Sequence, residues 1–338
     1  MFVLPLSDGV GSNWLEGEWC NMKILIVASY NKGGFAPFIL EQAEALKCAG
    51  CDVDWFGLQG KGVKGYIKNL PALKKKIKEC QPDIIHAHYG LSGLFANLQR
   101  KVPVVTTYHG SDINVPKVLH FSKMAMCLSV WNIFVSQKAL KIAQPKRNYS
   151  LLPCGIDLND LQLTDKSLAR RKMNLDEEKK YILFAGSFDN TVKNAPLAKE
   201  AVAMLPDENV ELLELKGYSR NEVTLLMCAA DAFLLTSYTE GSPQVIKEAM
   251  ACGCPIVSVD VGDLRERVEG VEGCYVSGTR KREELVDLIK KALDFNGKTT
   301  GRDKIINDCL DNSHVVQKLI DIYENICQKK IQQHLLMR

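Results

Sequence analysis

Short apolar runs alternate with amphipathic stretches along most of the chain, beginning at Met22. The run KILIVAS (Lys23 to Ser29) is followed by apolar positions at helical spacing over about 36–49. Further strand-like runs are Val53 to Phe56, Asp83 to Ala87, Val104 to Tyr108, Asn132 to Val135 and Ser150 to Leu152, each followed by a helix pattern or a Gly-rich turn. Such alternation predicts a parallel sheet with crossover helices.

After Pro153 to Leu161 comes a charged stretch, Asp165 to Lys180, and then the alternation restarts. Its strands are Tyr181 to Ala185, Glu211 to Glu214, Ala232 to Thr236, Ile256 to Val259 and Cys274 to Val276, with helices near 195–205, 222–229 and 282–295. A final helix is expected over about 314–331, where Val316, Leu319, Ile320, Ile322, Tyr323 and Ile326 recur at helical spacing. The fold class is therefore α/β, with two Rossmann-like doubly wound parallel-sheet domains, 22–160 and 161–313. The last helix is expected to pack back onto the first domain. Ligands of such sheets bind beyond the carboxyl ends of the strands, so two facing domains enclose a central cleft.

Length and composition agree: 338 residues and 46% hydrophobic content suffice for two cores, and a net charge of +3 argues against a nucleic-acid binder. The twelve cysteines form no zinc-like set, which points to reduced cytosolic thiols. The one CxxC, Cys48 to Cys51, ends a helix, whereas a redox motif opens one. No apolar run is long enough to span a bilayer, so a cytoplasmic protein, peripheral on the inner membrane face at most, is expected. Residues 1–21 lack the build of a signal peptide and read as a disordered extension before a start at Met22.

The segment from Thr236 to Pro255 holds the densest chemistry. Ser242 reads as an N-cap, Pro243 as the first helical residue, and Gly253 with Pro255 as the stop of a helix over about 242–252. Its free N–H groups and dipole suit a diphosphate. Glu240 just before it, and Glu248 within it four residues after Gln244, would repel phosphate; as acceptors they suit the vicinal hydroxyls of a ribose and a sugar.

This segment resembles the E-x7-E motif of retaining GT-B glycosyltransferases, especially family 4 (glycosyl transferases group 1). The resemblance implies Glu248 on the donor ribose, Glu240 beside the donor sugar, and the amides of Gly241, Ser242, Pro243, Gln244 and Val245 around sugar and phosphate. Asn31 to Phe35 resembles the family's Gly-Gly loop beside acceptor and diphosphate, through Gly33 and Gly34. In His109-Gly110-Ser111-Asp112 the resemblance implies a histidine, His109, near the reacting carbon, with Asp112 in the same loop. His86 and His88 match a His-x-Gly region at another strand end, where loop packing and acceptor contact are both open. Gly186, Ser187, Lys193 and Asn194 match a glycine-arginine turn followed by a lysine that clamps the diphosphate. Ser187 stands where the arginine is expected, leaving more of the phosphate charge to Lys193.

The resemblance implies a retaining, metal-independent sugar transfer from a UDP- or GDP-sugar to a glycan or lipid-linked acceptor, in bacterial surface polysaccharide or glycolipid synthesis. Catalytic roles fall to His109, Glu240 and Lys193. No metal or other cofactor is expected: Asp52-Val53-Asp54 is formally a DxD but opens a strand away from the cleft. Lys68 to Lys78 reads as a solvated basic helix that could alternatively meet anionic lipid through Lys74 to Lys78. A nucleotide-sugar epimerase and a non-catalytic nucleotide-binding scaffold are the competing readings; a nicotinamide enzyme is disfavoured by the missing GxGxxG.

Overall fold

The computed structural model describes residues 22–336, so the expected extension over 1–21 lies outside the described residues. One parallel sheet comprises β1 (Lys23–Ser29), β2 (Asp52–Leu58), β3 (Ile84–His88), β4 (Val104–Tyr108), β5 (Trp131–Phe134) and β6 (Tyr149–Leu151), ordered β2-β1-β3-β4-β5-β6. The second comprises β7 (Lys180–Phe184), β8 (Val210–Glu214), β9 (Ala232–Leu235), β10 (Ile256–Val259) and β11 (Cys274–Ser277), ordered β11-β10-β9-β7-β8. The strands match the apolar runs to within one or two residues.

In each sheet the second strand flanks the first on one side and the third on the other. Crossovers therefore change direction between β1 and β3, and again between β7 and β9. At such a switch point the connecting segments diverge to opposite faces and leave a crevice beyond the strand ends.

Both sheets are covered on both faces, and the central strands β3, β4, β9 and β10 are buried along their whole length. Along β1, Ile24, Ile26 and Ala28 face one core while Leu25 and Val27 face the other. The first of these cores is shared with the last helix, Asn312–Leu336, through Val315, Val316, Leu319, Ile320 and Tyr323. The Tyr323 hydroxyl lies 2.7 Å from Nδ1 of the buried His86. The chain leaves and re-enters the first domain at one place, since the Ile156 amide donates to Leu310 O (3.0 Å) and the Asn312 amide to Ile156 O (2.9 Å).

Three details depart from expectation. The helix carrying Glu248 spans Gln244–Ala251; Pro243 precedes it and Ser242 does not cap it, because the Ser242 hydroxyl donates to Asp263 Oδ2 at 2.8 Å instead. The charged stretch 165–180 contains a helix, Lys166–Lys172, capped by Asp165, whose Arg170 turns inward onto Asp231 (2.8 Å). The final helix runs longer at both ends than the spacing suggests. In the basic helix Leu70–Cys80, Leu73 and Ile77 are buried and Lys76 pairs with Asp54 at 2.6 Å. No helix among the described residues is long and apolar enough to cross a membrane.

Candidate active site

The switch point of the second sheet gathers the expected donor-side residues. β7 ends in Ala185-Gly186-Ser187, and β9 runs on through Thr236 to Glu240. Between them a short turn, Thr191–Lys193, leads into the helix Ala195–Ala203. Asn194 makes that junction in the left-handed conformation (φ 54°), which asparagine tolerates better than most residues. The Thr236 hydroxyl ties the turn down, its Oγ1 lying 2.9 Å from Lys193 O and 3.0 Å from Asn194 O. Lys193 is thereby aimed at Glu240, Nζ to Oε1 2.8 Å, with both side chains mostly enclosed. A Cβ on Gly186 would lie 3.1 Å from Lys193 Cγ, so the glycine makes room for the lysine stem.

Glu240 is followed by an uncapped helix start: no side chain bonds the first amides of Gln244–Ala251. That start comes four residues after Glu240, whose carboxylate holds the Lys193 cation. Ser187 lies at the same strand end, its hydroxyl bonded to Asp189, and Asp189 holds Lys216 at 2.7 Å. The position lacking the arginine thus has a lysine nearby, supplied by the end of β8.

Glu248 has a partner that periodicity does not reveal. A capping box, Ser219 with Glu222, starts the helix Arg220–Ala229 and sets Arg220 at its first turn. One guanidinium nitrogen, NH1, lies 3.2 Å from Glu248 and 2.8 Å from Glu41 of the first domain. Its Nε and NH2 are buried without a hydrogen-bond partner. Burial raises the Glu248 carboxyl, against the pull of Arg220. Glu41 is raised to about 7, by burial first, with Arg220 opposing and Glu248 adding to it.

Across the cleft, β3 and β4 end in a column of imidazoles. His86 stacks on His88 (4.4 Å between centroids) and His88 on His109 (5.3 Å), with His88 Nδ1 3.0 Å from His109 Nε2. The other His109 nitrogen, Nδ1, faces the Cys154 thiol at 3.8 Å, and its ring packs on Phe38 and Tyr89. Burial lowers His86 and His109 to about 3 and His88 well below its usual value, so the column is neutral at ordinary pH. Asp112 is committed to backbone: Oδ1 accepts from the His109 and Gly110 amides (3.0 Å each) and Oδ2 from Gly90 (2.8 Å). It holds the two loops of the first domain together rather than facing the cleft; only His109, partly exposed, reaches that rim. Gly33 and Gly34 differ again: a Cβ at either would meet no atom within 4 Å.

The two halves meet backbone to backbone. A Cβ on Gly241 would fall 2.1 Å from His109 O, and one on Gly110 2.6 Å from Gly241 Cα. Asn114 donates to Glu240 O (3.2 Å), and Gln244 donates to Gly155 O (2.8 Å) in the interdomain segment. Lys247, fully buried, donates to Cys154 O, and burial lowers its pKa. Arg220, Glu41 and Lys247 are the residues sequence reasoning missed. Lys247 left one signal, a cation on the inward side of an otherwise apolar helix face. Among the described residues no group of His, Cys, Asp and Glu is arranged to hold a metal. Asp52 and Asp54 line a small cavity of about 230 Å³ with Lys23, Glu79 and Cys80 at the opposite strand ends from the cleft.

Comparison with known proteins finds a family match in each half of the chain. Residues 53–160 match Glycosyltransferase Family 4 and residues 207–294 match Glycosyl transferases group 1, together more than half of the chain. The Bacillus subtilis (strain 168) protein TuaC, named as a teichuronic acid biosynthesis glycosyltransferase, is 27% identical over 219 residues, 56% of either chain. The chain thus spans little more than half the length of the curated relatives it matches. Sucrose-phosphate synthase from Thermosynechococcus elongatus superposes with a TM-score of 0.76 at 17% identity, over 90% of this chain and 99% of its own. Anabaena HepE in complex with UDP-glucose does so with 0.71 at 19%, over 91% and 100%. With a family domain matched on each side of a two-sheet cleft, this chain belongs to family 4 of the glycosyltransferases, the glycosyl transferases group 1, and has the GT-B architecture.

Proposed function

We propose that the chain transfers a sugar from a UDP- or GDP-sugar to a glycan or lipid-linked acceptor, with retention of anomeric configuration and without a metal. One observation carries the reading: Glu240 and Glu248 flank an uncapped helix start, each held by a cation, Lys193 and Arg220. Two carboxylates could not share an anion site unless they read hydroxyls, and a nucleotide sugar offers a ribose diol, a diphosphate and a sugar at about this spacing. The fold-mate HepE, whose structure contains UDP-glucose, is in keeping with such a donor.

In this scheme the acceptor oxygen attacks the anomeric carbon on the face from which the diphosphate departs. The bond from that carbon to the phosphate oxygen breaks, and the leaving phosphate takes the acceptor proton. Lys193 exchanges Glu240 for the diphosphate, joined by the helix amides and by Lys216 in place of the absent arginine. His109, neutral and bonded at both nitrogens, serves as cleft wall and not as proton carrier. Closure excludes water from the activated sugar. A place on the cytoplasmic side of bacterial surface-polysaccharide synthesis suits this chemistry.

A melting-temperature screen against UDP, GDP and their common sugars tests the reading, because a ligand of the native state raises the midpoint. One nucleotide series should stabilise the protein, and Glu248→Ala should erase both the shift and the transfer. Unchanged kinetics in that variant would sink the assignment. Incubating donor with and without acceptor separates transfer from epimerisation.

A further inference from the structure

The modest net charge of +3 hides a strong segregation. Residues 84–156, from β3 to the end of the first sheet, hold eight of the 43 basic residues and one of the 40 acidic ones. That is a net of +7, leaving the rest of the chain at −4. At the chain's own frequency the stretch would contain about nine carboxylates. The one present, Asp112, is 3% exposed and bonded to backbone amides, so this stretch puts no carboxylate on the surface. Lys117, Lys123, Lys138, Lys141, Lys146 and Arg147 are all exposed, as are Arg100 and Lys101 just past the helix Gly90–Asn97.

The cations of the two helices that follow β4 and β5 lie on one side of the first sheet. The helices Pro116–Leu128 and Gln137–Ala143 pack over a common cluster that includes Tyr108 and Phe134, so both lie on one face of the sheet. The edge strand β6 turns Ser150 to the opposite face, where it accepts from Trp131 (3.0 Å). Tyr149 and Leu151, in alternate register, point to the helix side. Apolar side chains stand among the cations there: Leu98, Val115, Met124, Ile142, Tyr149 and Leu151 are each 37–45% exposed. The helix Leu70–Cys80 differs, with its apolar residues Leu73 and Ile77 buried and Lys76 neutralised by Asp54.

We propose that this side of the first domain docks on an anionic lipid bilayer. Cations alone would suit any polyanion, but apolar side chains interspersed with them suit a surface that offers anionic head groups and an acyl boundary together. The orientation has a use. The helix Pro116–Leu128 begins directly after the loop whose Asn114 touches Glu240, so docking brings the cleft rim to the membrane.

Co-sedimentation of the full chain with vesicles tests this without donor or acceptor, so its outcome is independent of the transfer reading. The protein should sediment with phosphatidylcholine vesicles containing phosphatidylglycerol and not with phosphatidylcholine alone, and salt should release it. Each charge removed should lower the partition constant about five-fold, so the combined variant Lys123→Gln, Lys141→Gln, Arg147→Gln should lose roughly a hundred-fold. Met124→Ser with Ile142→Ser should weaken binding without altering its salt dependence, and Lys74→Gln with Lys78→Gln should leave it nearly unchanged. Equal binding to both vesicle types, or a triple variant that binds like the parent, overturns the proposal. So does an apolar double variant with no effect alongside tighter binding to a soluble anionic polysaccharide, which would make the face a glycan site.

Discussion

Arg220 is one residue answering to two carboxylates from different domains, and the consequence is sharpest at Glu41. Because burial lifts its carboxyl to about 7, the ionised form is the costly one in the folded protein. That cost is fully present above about 7 and fades as pH falls toward the ordinary value of 4.5. Glu41→Gln should therefore stabilise the protein by on the order of 2 kcal/mol at mildly alkaline pH, with the gain vanishing in mild acid. Urea midpoints across the pH range check this, and a gain independent of pH would refute it. Burial raises Asp112 as well, to about 6, but there hydrogen bonds from backbone amides, not a cation, oppose the rise. Asp112→Asn sets an amide N–H₂ against a backbone N–H and should cost about 1–3 kcal/mol. Denaturant unfolding of that variant is the measurement, and parental stability would contradict the loop-tying role.

At the scale of elements, the site is where two strand-to-helix transitions face two others. Gly241 matters because the carbonyl of His109 occupies the space where its Cβ would be. Neither backbone can yield cheaply. Gly241→Ala should hold the domains apart, raising the radius of gyration in solution scattering and reducing transfer at least ten-fold while the melting temperature stays near the parent's. Unaltered scattering with full activity would mean that these loops need not touch. Elements of this kind were largely legible beforehand: β4 and β10 coincide with the runs read as strands, because buried parallel strands are short runs rich in β-branched residues, VVTTY and IVSV here. The start of the Glu248 helix was not. Ser242 has the right chemistry for a cap, but its hydroxyl finds Asp263, 21 residues on, a competitor that local pattern cannot reveal. The same holds for Arg220: its ion pairs reach 28 residues forward and well over a hundred back, and no periodicity encodes them.

For the whole molecule, the two domains were readable from a restart of the alternation, and the cleft followed from where parallel strands end. How tightly the halves join was not readable, because Lys247 to Cys154 and Gln244 to Gly155 are single side-chain-to-backbone bonds. The last helix is the larger dependence. Its five buried side chains in the first core contribute about 1.5–3 kcal/mol each, on the order of the stability of a whole domain. A chain cut after Leu310 should retain the second sheet but expose the apolar face of the first. It should then bind a hydrophobic dye and lose cooperative unfolding of the first domain. A soluble, cooperatively folding truncation would show that the helix is dispensable.

That returning helix also sets an order in time. During synthesis the first sheet leaves the ribosome early, yet one of its two faces is covered only in part, by Ile39, Ala43 and Leu46 of the helix Pro37–Cys48, until residues near Tyr323 follow, after the entire second domain. The half made first is finished last. While the second domain folds on its own local contacts, the first waits with the core around Ile24, Ile26 and Ala28 only partly covered, and that interval is when a chaperone would matter most to this chain.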